Sequence, residues 1–122
     1  MKNGNFRNSF KNALAGLKYC FANERNFKIH MVAAVLAAGL AVFLNVSKIE
    51  FMFIVFSIFF VIVSEIFNTA VESWCNMVST EYNKYIKIAK DCAAAAVLVA
   101  AVNALVIGAI VFLPPLVNMI LH

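Results

Sequence analysis

Four polar side chains interrupt a long apolar stretch at a helical spacing: Glu65, Asn68, Glu72 and Asn76 stand three, four and four residues apart. At ~100° per residue they share one face of a helix, and Thr69 lies on the same side. A carboxylate in hydrocarbon costs at least ~2.5–3.5 kcal/mol on insertion scales. Two of them on one helix face therefore need water, a cation or partner residues, so a functional site is the default reading. The chemistry open to them is proton abstraction, coordination of a hard cation, or an ion relay. The plainer alternative has Glu65 and Glu72 pair with Arg25, Lys28 or Lys90 to fasten helices, which gives the intervening Asn68-Thr69 pair no task.

Other residues extend the constellation. Glu24 precedes the first apolar run, at the depth expected for Glu72, and the two could chelate a divalent cation. Hard oxygen ligands with few histidines favour magnesium over zinc. Lys90 and Asp91 are read as the opening of the last helix, where a lysine neutralises phosphate and an aspartate binds a metal or a hydroxyl. An N-cap Asp beside a snorkelling Lys accounts for that pair equally well on physics alone. His30 reads as an interfacial, hydrogen-bonded histidine rather than a ligand, and Asn103 as an interhelical donor. Cys20, Cys75 and Cys92 are widely separated and read as small packing residues, with neither a disulfide framework nor a zinc site expected. The glycines are Gly4, Gly16, Gly39 and Gly108, so no G-x-x-x-x-G-K-S/T phosphate loop exists.

The elements that must position these residues follow from composition. Of 122 residues 64% are hydrophobic and 13% charged, and the mean hydropathy is +0.89. A soluble chain this apolar would expose large aggregating patches, so lipid is the expected solvent. The fold class expected is all-α integral membrane, as one domain. Phe6, Phe10, Leu14, Leu17 and Phe21 mark one face of an N-terminal amphipathic helix over residues 1–28, and Arg7, Lys11, Lys18 and Arg25 mark a cationic stripe suited to anionic headgroups. The basic start has no early apolar run behind it, so the N-terminus is read as retained.

Three membrane helices are expected, over residues 29–46, 48–78 and 91–113, the last closing at Pro114-Pro115. The second is long enough only if it continues through Glu65 and Glu72. Counting from Phe51, a rise of ~1.5 Å per residue puts Glu65 roughly 21 Å into a ~30 Å core and Glu72 near its inner edge. Residues 1–30 hold six Lys or Arg against one Glu, and Lys84, Lys87 and Lys90 precede the third span. The positive-inside rule then makes the N-terminus and that loop cytosolic and the C-terminus external. Ala93 to Ala96, with Ala100 and Ala101, give the third helix a narrow face for close packing.

The run Glu65-Ile66-Phe67-Asn68-Thr69-Ala70-Val71-Glu72 resembles the E-x-x-N-S/T-A-I/V-E signature of the prokaryotic diacylglycerol kinase family, which includes the undecaprenol kinases. Ser79-Thr80-Glu81-Tyr82, Ala89-Lys90-Asp91 and Glu24-Arg25-Asn26-Phe27-Lys28-Ile29-His30 add matches in order, so the resemblance covers nearly the whole chain. It implies a homotrimeric bundle in the bacterial inner membrane that transfers the γ-phosphate of MgATP to a membrane lipid alcohol, with no nucleic-acid partner. By resemblance Glu65 is the general base and Asn68 orients it or a phosphate oxygen. Glu24 and Glu72 are then the Mg²⁺ ligands, and Asn76, Glu81, Tyr82, Asn83, Lys90 and Asp91 face the nucleotide. The family usually has Asp at the position of Asn76 and commonly His at that of Asn83, which puts nucleotide affinity and the metal arrangement in question. The 24–30 stretch and Thr69 look more like the undecaprenol branch than the diacylglycerol one. Competing classes are a cation or proton relay and a structural membrane protein.

Overall fold

The computed structural model describes residues 4–122. Every regular element among them is a helix: α1 (Phe6–Asn23), α2 (Arg25–Phe43), α3 (Lys48–Val78) and α4 (Lys84–Leu121). The last three are long and apolar enough to cross a membrane. α3 is the central element; α4 packs along it, α2 packs on it beside α4, and α1 touches α2 and α3.

The amphipathic helix and the first span divide at Glu24, four residues earlier than expected. Glu24 leaves the helical region at φ −106°, ψ 112°, yet its N–H still donates to the Cys20 carbonyl (2.9 Å) and its own carbonyl accepts from Lys28 (3.3 Å). One residue thus closes α1 and opens α2, and Arg25 leaves the cationic stripe of α1 to become the first residue of α2. The Phe21 and Phe27 rings meet edge to face across this elbow, 6.3 Å between centroids. α1 faces α3 with Ala13, Gly16, Leu17 and Cys20, while Phe6, Phe10 and Leu14 stay exposed, as an interfacial seat requires. Residues 1–3 of the expected helix lie outside the described residues.

Between α2 and α3 the chain reverses through a Schellman motif: Val46 N–H bonds to the Ala41 carbonyl and Asn45 N–H to that of Val42, with Asn45 at φ 52°. Asparagine tolerates this left-handed conformation better than most residues. Ser47 then starts α3 with a capping box, accepting from Glu50 N–H while the Glu50 carboxylate accepts from Ser47 N–H. α3 runs for 31 residues without a break, so Glu65 and Glu72 lie inside one continuous helix.

α4 departs from the expected 91–113 at both ends. Asn83 caps it by accepting from the N–H groups of Tyr85 and Ile86, so Lys84, Lys87 and Lys90 belong to the helix and Asp91 is no cap. Pro114 and Pro115 remove two intrahelical donors, but their φ near −65° is itself helical, and the helix continues to Leu121. Its seam against α3 follows Ala93, Val97, Ala100, Ala104, Ile107 and Val111, buried or half-buried at alternating spacings of four and three. Ala94, Ala95 and Ala96 remain exposed, so the expected alanine face is only partly used within the chain.

Candidate functional site

The buried face of α3 is unusually polar. Ser57, Glu65, Asn68 and Thr69 are buried alongside Ile54, Val61 and Cys75, and Glu65 retains 2% of its exposure. An ionisable side chain held this far from solvent needs a partner, and α2 supplies it: His30 Nε2 lies 3.2 Å from Glu65 Oε1. The elbow at Glu24 makes this contact possible, because it starts α2 early enough to carry His30 more than one turn inside the helix.

Asn68 does not reach Glu65. Its amide nitrogen donates to Glu72 Oε1 at 3.2 Å, one turn along α3. The Asn68 carbonyl oxygen and the Thr69 hydroxyl are both buried and make no hydrogen bond. Glu24 and Glu72 are both close enough to act electrostatically on Glu65, so three carboxylates from the elbow and α3 share one region. Arg25, Lys28 and Lys90 make no ion pair with Glu65 or Glu72, which removes the helix-fastening alternative in the form the sequence suggested.

Farther along the same helix face, Lys90 Nζ donates to Asn76 Oδ1 at 2.8 Å, joining α4 to the end of α3. Asp91 pairs instead with Lys87 at 2.6 Å on the exposed side of α4. The connection from α3 to α4 is tight: Ser79 Oγ accepts from Glu81 N–H, Tyr82 is exposed, and Asn83 commits its side-chain oxygen to the α4 cap. Glu65, Asn68, Glu72 and Asn76 thus form a ladder along one face, approached by His30 from α2 and Lys90 from α4. Glu81, Tyr82 and Asn83 lie beyond the end of α3.

Among the described residues no group of three or more His, Cys, Asp or Glu side chains is disposed to hold a metal. Magnesium is commonly held by one or two carboxylates together with substrate phosphates and water, without a dedicated protein cage. Glu24, whose side chain makes no capping bond, and Glu72 beside the unpartnered Asn68 oxygen have the donor chemistry for that arrangement.

His30 is the residue that sequence reasoning left out of the site. The available signal was a histidine entering an apolar helix antiparallel to α3 at a depth near that of Glu65. Cys92, read as a packing residue, is exposed, whereas Cys20 and Cys75 are buried; all three are free thiols.

Fold and site together define a helical membrane protein with three candidate spans, whose central helix carries the buried Glu65 and the half-buried Glu72 toward one end. The prokaryotic diacylglycerol kinase family model matches residues 11–112. The chain belongs to that family of membrane lipid kinases. It is similar to a diacylglycerol kinase of Synechocystis (40% identity over 91% of this chain) and spans 64% of that protein's length. It is also similar to an undecaprenol kinase of Bacillus subtilis (39% identity, 91% of this chain, 90% of the relative) and to the diacylglycerol kinase of Escherichia coli K12 (34% identity, 75% of each).

Proposed function

We propose that this protein phosphorylates a membrane lipid alcohol with MgATP at the cytosolic face of the bacterial inner membrane, with undecaprenol as its acceptor. The observation carrying this reading is the buried Glu65 carboxylate, set on one helix face with Asn68 and Glu72 inside the family signature. The N-terminus is cytosolic on the charge count, and the site lies at the cytosolic ends of the spans.

Phosphoryl transfer asks for aligned substrates and for neutralised charge on the phosphoryl oxygens. Glu65 accepts the proton of the lipid hydroxyl as its oxygen bonds to the γ-phosphorus and the bond to ADP breaks. Asn68 holds the Glu72 carboxylate in place through their 3.2 Å bond. Glu24 and Glu72 would hold Mg²⁺, which when bound offsets the negative charge of the phosphates. Lys90, steadied by Asn76, presents its ammonium to phosphate oxygens, and Asp91, Glu81, Tyr82 and Asn83 border the nucleotide. Asn83 contributes its amide N–H groups, since its oxygen caps α4.

The chain exposes many large apolar residues and buries few, so homotrimeric association, in which neighbouring copies complete the site, accords with this surface. Relatives with both acceptor names have similar identity, and the preference for undecaprenol rests on the 24–30 stretch and Thr69. The test is transfer of radiolabelled γ-phosphate from MgATP, with undecaprenol and diacylglycerol offered side by side. Label is expected in undecaprenol and should fall by about 10²–10⁴-fold in Glu65→Gln, the range a positioned base supplies. Label confined to diacylglycerol would reassign the acceptor, and label in neither would remove the kinase reading.

A further inference from the structure

We infer that His30 is the positioning residue for Glu65, fixing which carboxylate oxygen meets the acceptor hydroxyl; this rests on the kinase reading with Glu65 as base. Glu65 is almost wholly enclosed, and its Oε1 lies 3.2 Å from His30 Nε2. Asn68, one turn along α3, donates to Glu72, and Lys90 of α4 is held at Asn76, so neither competes with His30 for Glu65. With His30 against Oε1, Oε2 is the carboxylate oxygen left for the acceptor hydroxyl. A base works only with its oxygen within about 2.6–3.2 Å of the proton it takes, so that orientation bears directly on rate.

The contact is more than a fastening between α2 and α3. His30 keeps a quarter of its side-chain exposure and lines a groove of about 360 Å³ between α2 and α4, together with Ala33, Ala37, Ala104 and Gly108. The ring therefore bridges an enclosed carboxylate and an apolar groove that Val61, Leu105 and Phe112 also line. A residue serving only to pack the helices could be replaced by any side chain of similar bulk, whereas a positioning residue needs an N–H directed at Oε1. Glutamine supplies one close to the position of Nε2; leucine fills the space without one.

The experiment compares His30→Leu, His30→Ala and His30→Gln in the full-length protein, measuring kcat and the KM for MgATP with undecaprenol as acceptor. The expected result is a kcat lowered at least tenfold in His30→Leu and His30→Ala, an unchanged KM for MgATP, and recovery of most of the rate in His30→Gln. Full rate in His30→Leu overturns the inference. So does a loss in His30→Gln equal to that in His30→Leu, or an effect confined to KM. A second readout needs no turnover: the chain has two histidines, His30 and His122, so the ring ¹⁵N resonances are few. Glu65→Gln should move the His30 signals and leave those of His122 in place; unmoved His30 signals overturn the contact. Wild-type protein that labels neither lipid overturns the kinase reading and this inference with it, whereas active wild-type and His30→Leu proteins overturn the inference alone.

Discussion

Asn76 shows how one residue changes the expected chemistry without breaking the framework. Its Oδ1 accepts from Lys90 Nζ at 2.8 Å, so the two helices remain joined there although the usual family Asp is absent. A neutral acceptor holds the ammonium less strongly than a carboxylate would, which leaves more of its charge for phosphate. Lys90→Ala is therefore expected to raise the KM for MgATP about tenfold, as loss of a hydrogen bond to a charged group does, while kcat changes less; initial rates over a range of MgATP check it. The sequence supported this much of the site because Glu65, Asn68, Glu72 and Asn76 share a helical phase that needs no tertiary information. His30 escaped it because the contact joins two helices, and single-chain periodicity does not report which residues of antiparallel helices meet. The same limit explains Asn68, whose helical neighbours Glu65 and Glu72 were both within reach on spacing alone.

At the scale of the elements, each helix boundary has its own chemical cause. α3 begins at Lys48 behind a capping box of Ser47 and Glu50, a signal open to the sequence through that spacing, though the apolar run alone placed the helix. The start of α4 was not legible, since the seven residues before its expected apolar run include three lysines and the cap comes from Asn83, which the family resemblance had directed toward nucleotide. The division between α1 and α2 depends on one extended residue, Glu24, with no proline or glycine to announce it. Deeper in the bundle, α4 is tied to α3 by Asn103 Nδ2 donating to Ser57 Oγ at 3.4 Å. Interhelical bonds in membrane proteins average about 0.6 kcal/mol, and this long contact belongs near that value. A double-mutant cycle of Asn103→Ala and Ser57→Ala, followed by denaturant unfolding in mixed micelles, is expected to give a coupling of about that size with kinase turnover retained.

At the scale of the whole molecule, sidedness is open to a direct check through the thiols. Cys20 and Cys75 are buried and Cys92 is exposed near the end of α4 that carries Lys84, Lys87 and Lys90. A membrane-impermeant maleimide is expected to label inverted vesicles at Cys92 and to leave intact cells unlabelled, with Cys20 and Cys75 reacting only after denaturation. Labelling of intact cells would reverse the proposed orientation. The three spans also differ in length. α2 has 19 residues, about 28 Å, while α3 and α4 have 31 and 38, about 46 and 57 Å at ~1.5 Å per residue. Only α2 is cut to the ~30 Å hydrocarbon core. Glu65 lies 17 residues beyond Lys48, about 26 Å along α3, so the short helix and this fixed interval act together as a depth gauge. In a thinner membrane the carboxylate rises into the hydrated headgroups, and in a thicker one it sinks among acyl chains. The thickness of the surrounding lipid thereby sets the depth at which that carboxylate sits before any lipid enters the site.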